Sequence, residues 1–532
     1  MAVHWRTLLT ALPLLLSLGT AQAATLHVDN EGEPGSLDPQ KSANHWDSRI
    51  QKAMFDRLVD TAADGRLIPG LASRWDVSDD GTVYTFHLRD ARWSDDTPIT
   101  AEDAVFSLRR LLMPATANHN ANLYYAIHNA RAVNRGERAP EALGVKALDA
   151  HTLEITLDHP SGYFLQAMAM GEAAPLPRHV LSTTKRWIVP GNTVVSGAFT
   201  LGEWHPQSQL TLEKNPAFYA ADTVALDRVV MYPLEDTNDA IRRFRNDQID
   251  LSFAQVPSSR IDWVRAQRPD ALRTAPWAGE YFYMFNVRDG ALADARVRKA
   301  LNLVVRREII TDKVLGTGMR PSHRFVPEAM SGADGVTMPG LDAPYAERVE
   351  KARALMREAG YGPDTPLTLT LRYNTDDDHK KVAVAVAAMW KPLGVTVELY
   401  NSEGAVHYAA IKQGQFDIAR YGMVATVNDP IDLVGSYAAG GSAAAASGYQ
   451  NARLDALIEK SAHTANAADR RRVLGQAEQT LLDDYAVLPI FEYVSNHLVS
   501  PRVQGFEDNV MDEHPLRFLS LAPPSTPSHS GE

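Results

Sequence analysis

Apolar and polar residues alternate with period two at 83–88 (VYTFHL), 152–157, 209–212, 367–371 and 395–399. That is the pattern of half-buried strands, whose successive side chains face opposite sides. A brief apolar run at 25–28 predicts one more. Elsewhere the spacing is helical. Ile50, Ala53, Met54 and Leu58 share one face of a helix predicted over 44–59, and Ala104, Val105, Leu108 and Leu111 share a face of another. Thr100 is placed to cap that second helix, with Glu102 and Asp103 in its first turn. Further helices are predicted at 295–315, 345–359 (ended by Gly360), 379–390, 454–463 and 467–484. Strands and helices mixed without a strict βαβ rhythm predict an α/β class with mixed sheets. No internal repeat of fixed period is visible.

One stretch organises the rest: 416–433, FDIARYGMVATVNDPIDL. Its apolar start, 416–419, predicts a buried strand end. Asp429 is expected to cap a helix with Pro430 at its first position and Asp432 at its third. Between them, Tyr421 to Thr426 carries little charge and one glycine, Gly422, which lets another backbone approach closely. Extended backbone of this kind offers N–H and C=O groups to an added strand-like ligand. An ordinary sheet-to-helix connection is the plainer reading of the stretch alone.

Composition narrows the classes. At 532 residues the chain exceeds one core, so several domains or interleaved lobes are expected. The net charge of −12 argues against nucleic acid or anionic lipid as a partner. Met1 to Arg6 carries one positive charge, 8–18 is apolar, and Ala21-Gln22-Ala23 fits a cleavage site, together a secretory signal peptide over 1–23. Cleavage there removes Arg6 alone among charged residues and leaves −13. There is no cysteine, so neither disulfides nor a lipid-bearing Cys is expected, and no later segment is apolar enough to span a bilayer. A mature protein free in the periplasm is the expectation.

The run LIPGLASRWDVSDDGTVYTFHLRDARWSDDTPITAEDAVFSLRRL (67–111) resembles the family 5 extracellular solute-binding proteins, the periplasmic receptors of peptide and nickel ABC transporters. The similarity continues through LGVKALDAHTLEITL (143–157), SGAFTLGEWHP (196–206), FNVRDGALADARVRKALNLVVRREII (285–310), YNTDDDHKK (373–381), QGQFDIARYG (413–422) and AEQTLLDDYAVLPIF (477–491). It is strongest to the oligopeptide receptors of that family. The resemblance implies a periplasmic-binding-protein type II-like fold, with two large lobes around a hinge and an extra inserted domain. Lobe I is expected from 24–55, 187–286 and 511–532, the insertion from 56–186, and lobe III from 287–510. It also implies a ligand enclosed between lobes I and III, hinge closure around it, and delivery to a membrane permease. The chain is expected to work as a monomer without a cofactor or metal.

Carried over by position, Gly422, Met423 and Val424 pair with the ligand main chain, which reads the repeating amide and tolerates varied side chains. Trp277, Tyr281, Phe282 and Tyr283 fall where the family places aromatic pocket walls, although alternate members of such a run also suit a core. Asn44, His45 and Trp46 lie at the helix start that faces the cleft in the family. Arg420 and His379 match positions whose charges meet a ligand carboxylate. Four departures stand out: Thr426 replaces the aspartate that holds a peptide's ammonium, Leu315 and Ile411 replace basic residues, and Ala43 replaces an acidic one. A buried ammonium without its carboxylate costs roughly 3–5 kcal/mol, or about two to three decades of affinity. Either another acid supplies the counter-charge, or the preferred ligand presents no free amine there, as an N-blocked or cell-wall peptide would.

Enzyme readings are weaker. Ser182-Thr183-Thr184-Lys185 matches S-x-x-K, but no K-T-G follows. No H-E-x-x-H, G-x-S-x-G or Walker A sequence is present. The acidic pairs Asp79-Asp80 and Asp95-Asp96 and the run at 376–378 suit turns, where Asp bonds its own backbone. A family member reassigned to a metal chelate, a small glycan or an amphipathic acid stays open beside the peptide receptor.

Overall fold

The computed structural model describes residues 23–523, apart from 43, 185, 192, 331–334 and 363. Residues 1–22 of the expected leader, Ala43 and Lys185 thus lie outside the described residues.

Two long strands, Leu272–Phe285 and Val487–Val499, run antiparallel through the middle of the molecule. Both are apolar on two faces over much of their length, so both faces must be covered. On one flank follow Ile418–Val424, Leu367–Asn374 and Val395–Ser402. On the other follow Leu251–Ser252, Thr25–Asp29, Arg228–Tyr232, Gln209–Lys214 and Phe199–His205. With Arg320–Pro321 beside Val487–Val499 they form one sheet of eleven strands, part parallel and part antiparallel. The predicted α/β class with mixed pairing is what forms, and the two flanks are joined through the crossing strands.

The ladder between those crossing strands is interrupted from Pro276 to Glu280. Pro276 has no N–H to give. Gly279 lies so close to Tyr493 that a Cβ there would stand 2.8 Å from its ring. The backbone therefore opens at Trp277 to Gly279, and a cavity sits over the opening.

Packing is divided in the same way. Leu26, Val28, Phe55, Phe199 and Leu212 belong to a core on one flank. Tyr283, Leu301, Leu371 and Trp390 belong to one on the other, with Phe282, Phe325 and Tyr437 on the opposite sheet face. A separate four-stranded antiparallel sheet, Ala72–Val77, Val83–Leu88, Thr152–Thr156 and Val145–Asp149, packs with helix Ala101–Leu112 in its own core. That helix buries Ala104, Val105, Leu108 and Leu111, each large aliphatic contributing about 1.5–3 kcal/mol. Asp103 accepts the Thr100 N–H at 2.9 Å, closing the expected cap.

Several boundaries differ from the periodicity. The helix predicted over 44–59 is His45–Met54, because buried Arg57 turns back to donate to the Lys52 and Phe55 carbonyls, and Val59 enters the strand Val59–Thr61. The helix predicted over 295–315 is Ala295–Leu303, then Arg307–Ile309 and a wider turn, Ile310–Leu315. Buried Arg307 donates to the Pro489 carbonyl at 2.7 Å, a partner the local pattern does not show. The strand expected to end at residue 419 instead runs from Ile418 to Val424. Beyond it the helix is Ile431–Val434 with Pro430 before it, so Asp429 stands one place further out than expected. Among the described residues, no helix is long and apolar enough to cross a membrane.

Candidate ligand-binding cleft

The strand Ile418–Val424 pairs along one edge with Phe285 back to Gly279. Its other edge pairs with Leu367–Asn374 at Ile418 and Ala419 only. From Arg420 onward, that edge meets no strand among the described residues. The Arg420 carbonyl points to this open side, where it accepts the His407 Nε2–H at 2.8 Å. Backbone groups alternate sides along a strand. Gly422 and Val424 therefore turn their N–H and C=O to the open edge, whereas Met423 turns its own toward Glu280, its pairing partner. Of the three residues expected to read a ligand backbone, two face outward. Gly422 is needed for a further reason: a Cβ would collide with the Tyr493 hydroxyl.

A cavity of about 630 Å³, within the range of small-molecule sites, is lined by none of the residues Arg420 to Thr426. Its link to the ribbon runs through Tyr281 and Tyr493, which line it and contact Arg420. Trp46, Leu234 and Gln255 wall it from one flank, Leu315, Met319 and His379 from the other, and Trp277, Tyr281 and Tyr493 from the crossing strands. Across its mouth, Ser258 and Asp378 are hydrogen-bonded, and Lys381 Nζ donates to Ser258 Oγ at 2.7 Å. The two flanks are thus in contact around the cavity.

The sequence-derived candidates separate clearly. Trp46, Trp277, Tyr281 and His379 line the cavity. Asn44 flanks the helix start and His45 is largely exposed, 2.9 Å from Glu31. Phe282 and Tyr283 are corrected: they lie in two cores on opposite sheet faces, and neither walls the cavity. Period two accounts for Phe282, which faces away from Tyr281. Tyr283 shares the face of Tyr281 and is fully buried in the core next to it. Leu315 lines the cavity and Ile411 is core. Tyr493 and Met319 were not singled out from the sequence. Tyr493 sits in an apolar stretch that reads as ordinary core, and Met319 in the polar segment Gly316 to Arg324, where nothing marks it as a cavity wall.

Arg420 is buried, with Nη2 donating to the Tyr493 hydroxyl at 2.7 Å and Nη1 to the Tyr408 hydroxyl at 3.1 Å and Asn374 Oδ1 at 3.3 Å. Its guanidinium lies 4.8 Å from the centre of the Tyr281 ring. Among the described residues no carboxylate lies within ion-pair distance of it. A guanidinium keeps its charge, so this corner holds a buried cation dressed only by neutral groups.

His379 does not bring the charge expected of it. Burial, reinforced by Arg420, pushes its imidazole down to about 3 and leaves it neutral. Thr426 supplies no carboxylate, and its N–H is bonded to Asp432. Burial raises Asp432, opposed by the N–H groups of Thr426 and Val427. Asp429 is held by Arg470 and also accepts the Ile431 N–H at 3.0 Å. Asp429 is thus taken by Arg470, while Asp432 already accepts the Thr426 and Val427 N–H groups on one oxygen.

Residues 66–444 match the family described as bacterial extracellular solute-binding proteins, family 5 Middle. The periplasmic oligopeptide-binding protein OppA of Escherichia coli (strain K12) is 34% identical over 491 residues, 91% of this chain and 90% of that protein. The probable deoxycholate-binding periplasmic protein YgiS of the same organism is 34% identical over 483 residues, 90% of each. The solved structure of the Escherichia coli murein tripeptide binding protein MppA superposes with a TM-score of 0.82 at 32% identity, covering 94% of this chain and 99% of that one. An eleven-stranded mixed sheet with a cavity over its broken ladder, and this likeness along nine-tenths of the chain, lead to one conclusion: the chain belongs to the family 5 extracellular solute-binding proteins.

Proposed function

We propose that this chain is the periplasmic receptor of an ABC importer, capturing short peptides in the cleft and passing them to a membrane permease. The observation that carries the reading is the open edge at Arg420 to Val424, joined through Tyr281 and Tyr493 to a cavity of peptide size. A peptide laid along that edge gains main-chain bonds to Gly422 and Val424 without reference to its side chains. Its carboxylate then has a buried, unopposed cation in Arg420, and such charge-assisted bonds are about twice as strong as neutral ones. The relatives named as oligopeptide- and murein-peptide-binding support the same class of ligand. In this reading, lobe I (24–55, 187–286, 511–532) and lobe III (287–510) close around the guest. The insertion (56–186) rides beside them, the leader is cleaved after Ala23, and no bond of the guest is made or broken.

Calorimetric titration with tri-alanine in free, N-acetylated and C-amidated forms tests it. C-amidation is expected to weaken binding by about a hundredfold. Equal affinity for the amidated and free forms, or no binding of any form, overturns the proposal.

A second reading is favoured by Thr426 and the tied acids beside it: a ligand with a carboxylate but no free amine, whether an N-blocked or cell-wall peptide or a non-peptide acid. The likeness to a protein named for deoxycholate binding agrees with it. The N-acetylated tripeptide then binds at least as tightly as the free one, and tighter binding of the free amine sinks this reading. Mass spectrometry of the molecule released from purified protein by mild denaturation identifies the guest directly.

A further inference from the structure

Away from the cleft, two histidines converge on one aspartate. His497, near the end of the crossing strand Val487–Val499, places Nε2 2.8 and 3.0 Å from the two oxygens of Asp512. His514 places its Nε2 3.1 Å from Asp512 Oδ1. The three ligand atoms lie within 4.8 Å of one another. We propose that His497, Asp512 and His514 form a binding site for a borderline divalent cation, zinc foremost, that fastens the C-terminal segment to the crossing strand.

Three observations support a cation over a plain hydrogen-bonded trio, and one opposes it. The donor set is two imidazoles and one carboxylate, which suits zinc with a fourth position left to water. Tetrahedral bonds of about 2.0 Å need donor atoms about 3.3 Å apart, so separations of 2.8–3.1 Å have only to relax by a few tenths. Both Nδ1 atoms are buried without a partner among the described residues, so each ring ligating through Nε2 leaves its Nδ1–H unsatisfied, a cost the metal bonds have to exceed. The loop is also held in place. Asn509 accepts the Glu513 N–H at 3.1 Å and donates to the Ala63 and Glu513 carbonyls, while Asp512 sits at φ +55°, where non-glycine residues are uncommon.

Aromatic rings pack against both imidazoles. Phe506 stacks on His514 at 3.8 Å, and Phe253 lies 6.1 Å from His497. Access is from the Asp512 side, the most exposed of the three at 11%. Arg49, over the Phe253 ring, opposes a bound cation, and Glu513 is neutralised by Lys52. Affinity therefore rests on the donor set and not on a field from the neighbours. The inference is independent of what occupies the cleft.

The test uses full-length mature protein purified without a histidine tag and stripped with chelator. Cobalt(II) absorption reports coordination number and ligand type, and calorimetry with zinc gives stoichiometry. One equivalent is expected with a Kd in the micromolar range or tighter, and His497→Gln and His514→Gln each weaken it at least about tenfold. A His159→Gln/His463→Gln double variant, removing a histidine pair with rings 5.6 Å apart elsewhere, leaves it unchanged. Absence of a stoichiometric site in the wild type, affinity retained in both single variants, or loss in the double variant overturns the proposal. Thermal melts of every variant in chelator separate loss of ligand from loss of fold, and the wild-type titration stands alone should a variant not fold.

Discussion

Two buried arginines near the cleft are treated in opposite ways. Arg470 is closed by Asp429 in a buried ion pair. Arg420, equally buried, has two phenols, an amide and a ring face around it, and among the described residues no acid. A buried charge is tolerated when paired or fully hydrogen-bonded. Arg470 meets that condition inside the protein, next to Tyr163 and Gly162 of the small sheet region, and so holds parts of the fold together. Arg420 meets it only in part, through neutral partners, two of which (Tyr281 and Tyr493) line the cavity. The first arginine is paired within the fold; the second is the one that the proposed function assigns to a ligand carboxylate.

The contrast can be broken most forcefully at Arg470. Arg470→Met leaves Asp429 buried and unpaired, and a loss of about 3–5 kcal/mol is expected in chemical denaturation. Arg420→Met removes an unpaired charge, so stability should change by less than about 1 kcal/mol while affinity for a carboxylate-bearing ligand falls about a hundredfold. If Arg420→Met proves the more destabilising of the two, the assignment of roles is reversed.

Thr426→Asp sharpens the other end of the cleft. Placing a carboxylate where Asp429 and Asp432 are both engaged is expected to raise affinity for free-amine tripeptides about tenfold. The N-acetylated series should gain nothing in the same titration. A gain in both series would mean that position 426 acts through the ribbon's shape.

A pH slope tests the buried histidines near the ribbon. His379 is pushed down to about 3 and His407 to about 4, chiefly by burial, against an ordinary value near 6.5. The unfolded chain therefore binds more protons than the folded one below pH 6.5, and stability falls as pH drops from there toward 3. Asp29, raised by burial to about 6, acts with the opposite sign, losing stability as pH rises from its ordinary value of 3.8 toward 6. Denaturation midpoints of wild type and His379→Gln across pH 4–7 isolate the histidine: the variant should show the shallower slope. Identical slopes would place His379 in water.

How much of this was legible in the chain differs by residue. The alternation at 83–88 and the cap at Thr100 could be read from neighbours in sequence, because each depends on contacts within a few residues. The stretch around Gly422 read only as extended backbone, and its open edge is set by where the pairing with Leu367–Asn374 stops. Trp46, Trp277 and Tyr281 were found through the family resemblance, and the cavity gathers them. Phe282 and Tyr283 were misplaced because the resemblance marked the whole run, whereas the strand's alternation sends Phe282 to the opposite face and Tyr283 into the core beside Tyr281. Tyr493 left no mark at all, although it touches Arg420, Gly422 and Trp277.

By itself the sequence determined what short-range physics controls. It set which segments bury one face, where a proline or glycine opens the backbone, and which position beside the ribbon lacks a carboxylate. Only the tertiary structure decided which charges are satisfied. Arg470 finds Asp429 at a separation of 41 residues, Arg420 finds Tyr493 at 73, and Ser258 reaches Asp378 at 120. Whether a buried charge is spent on the fold or kept for a ligand depends on such distant partners, because electrostatic balance is settled by neighbours in space.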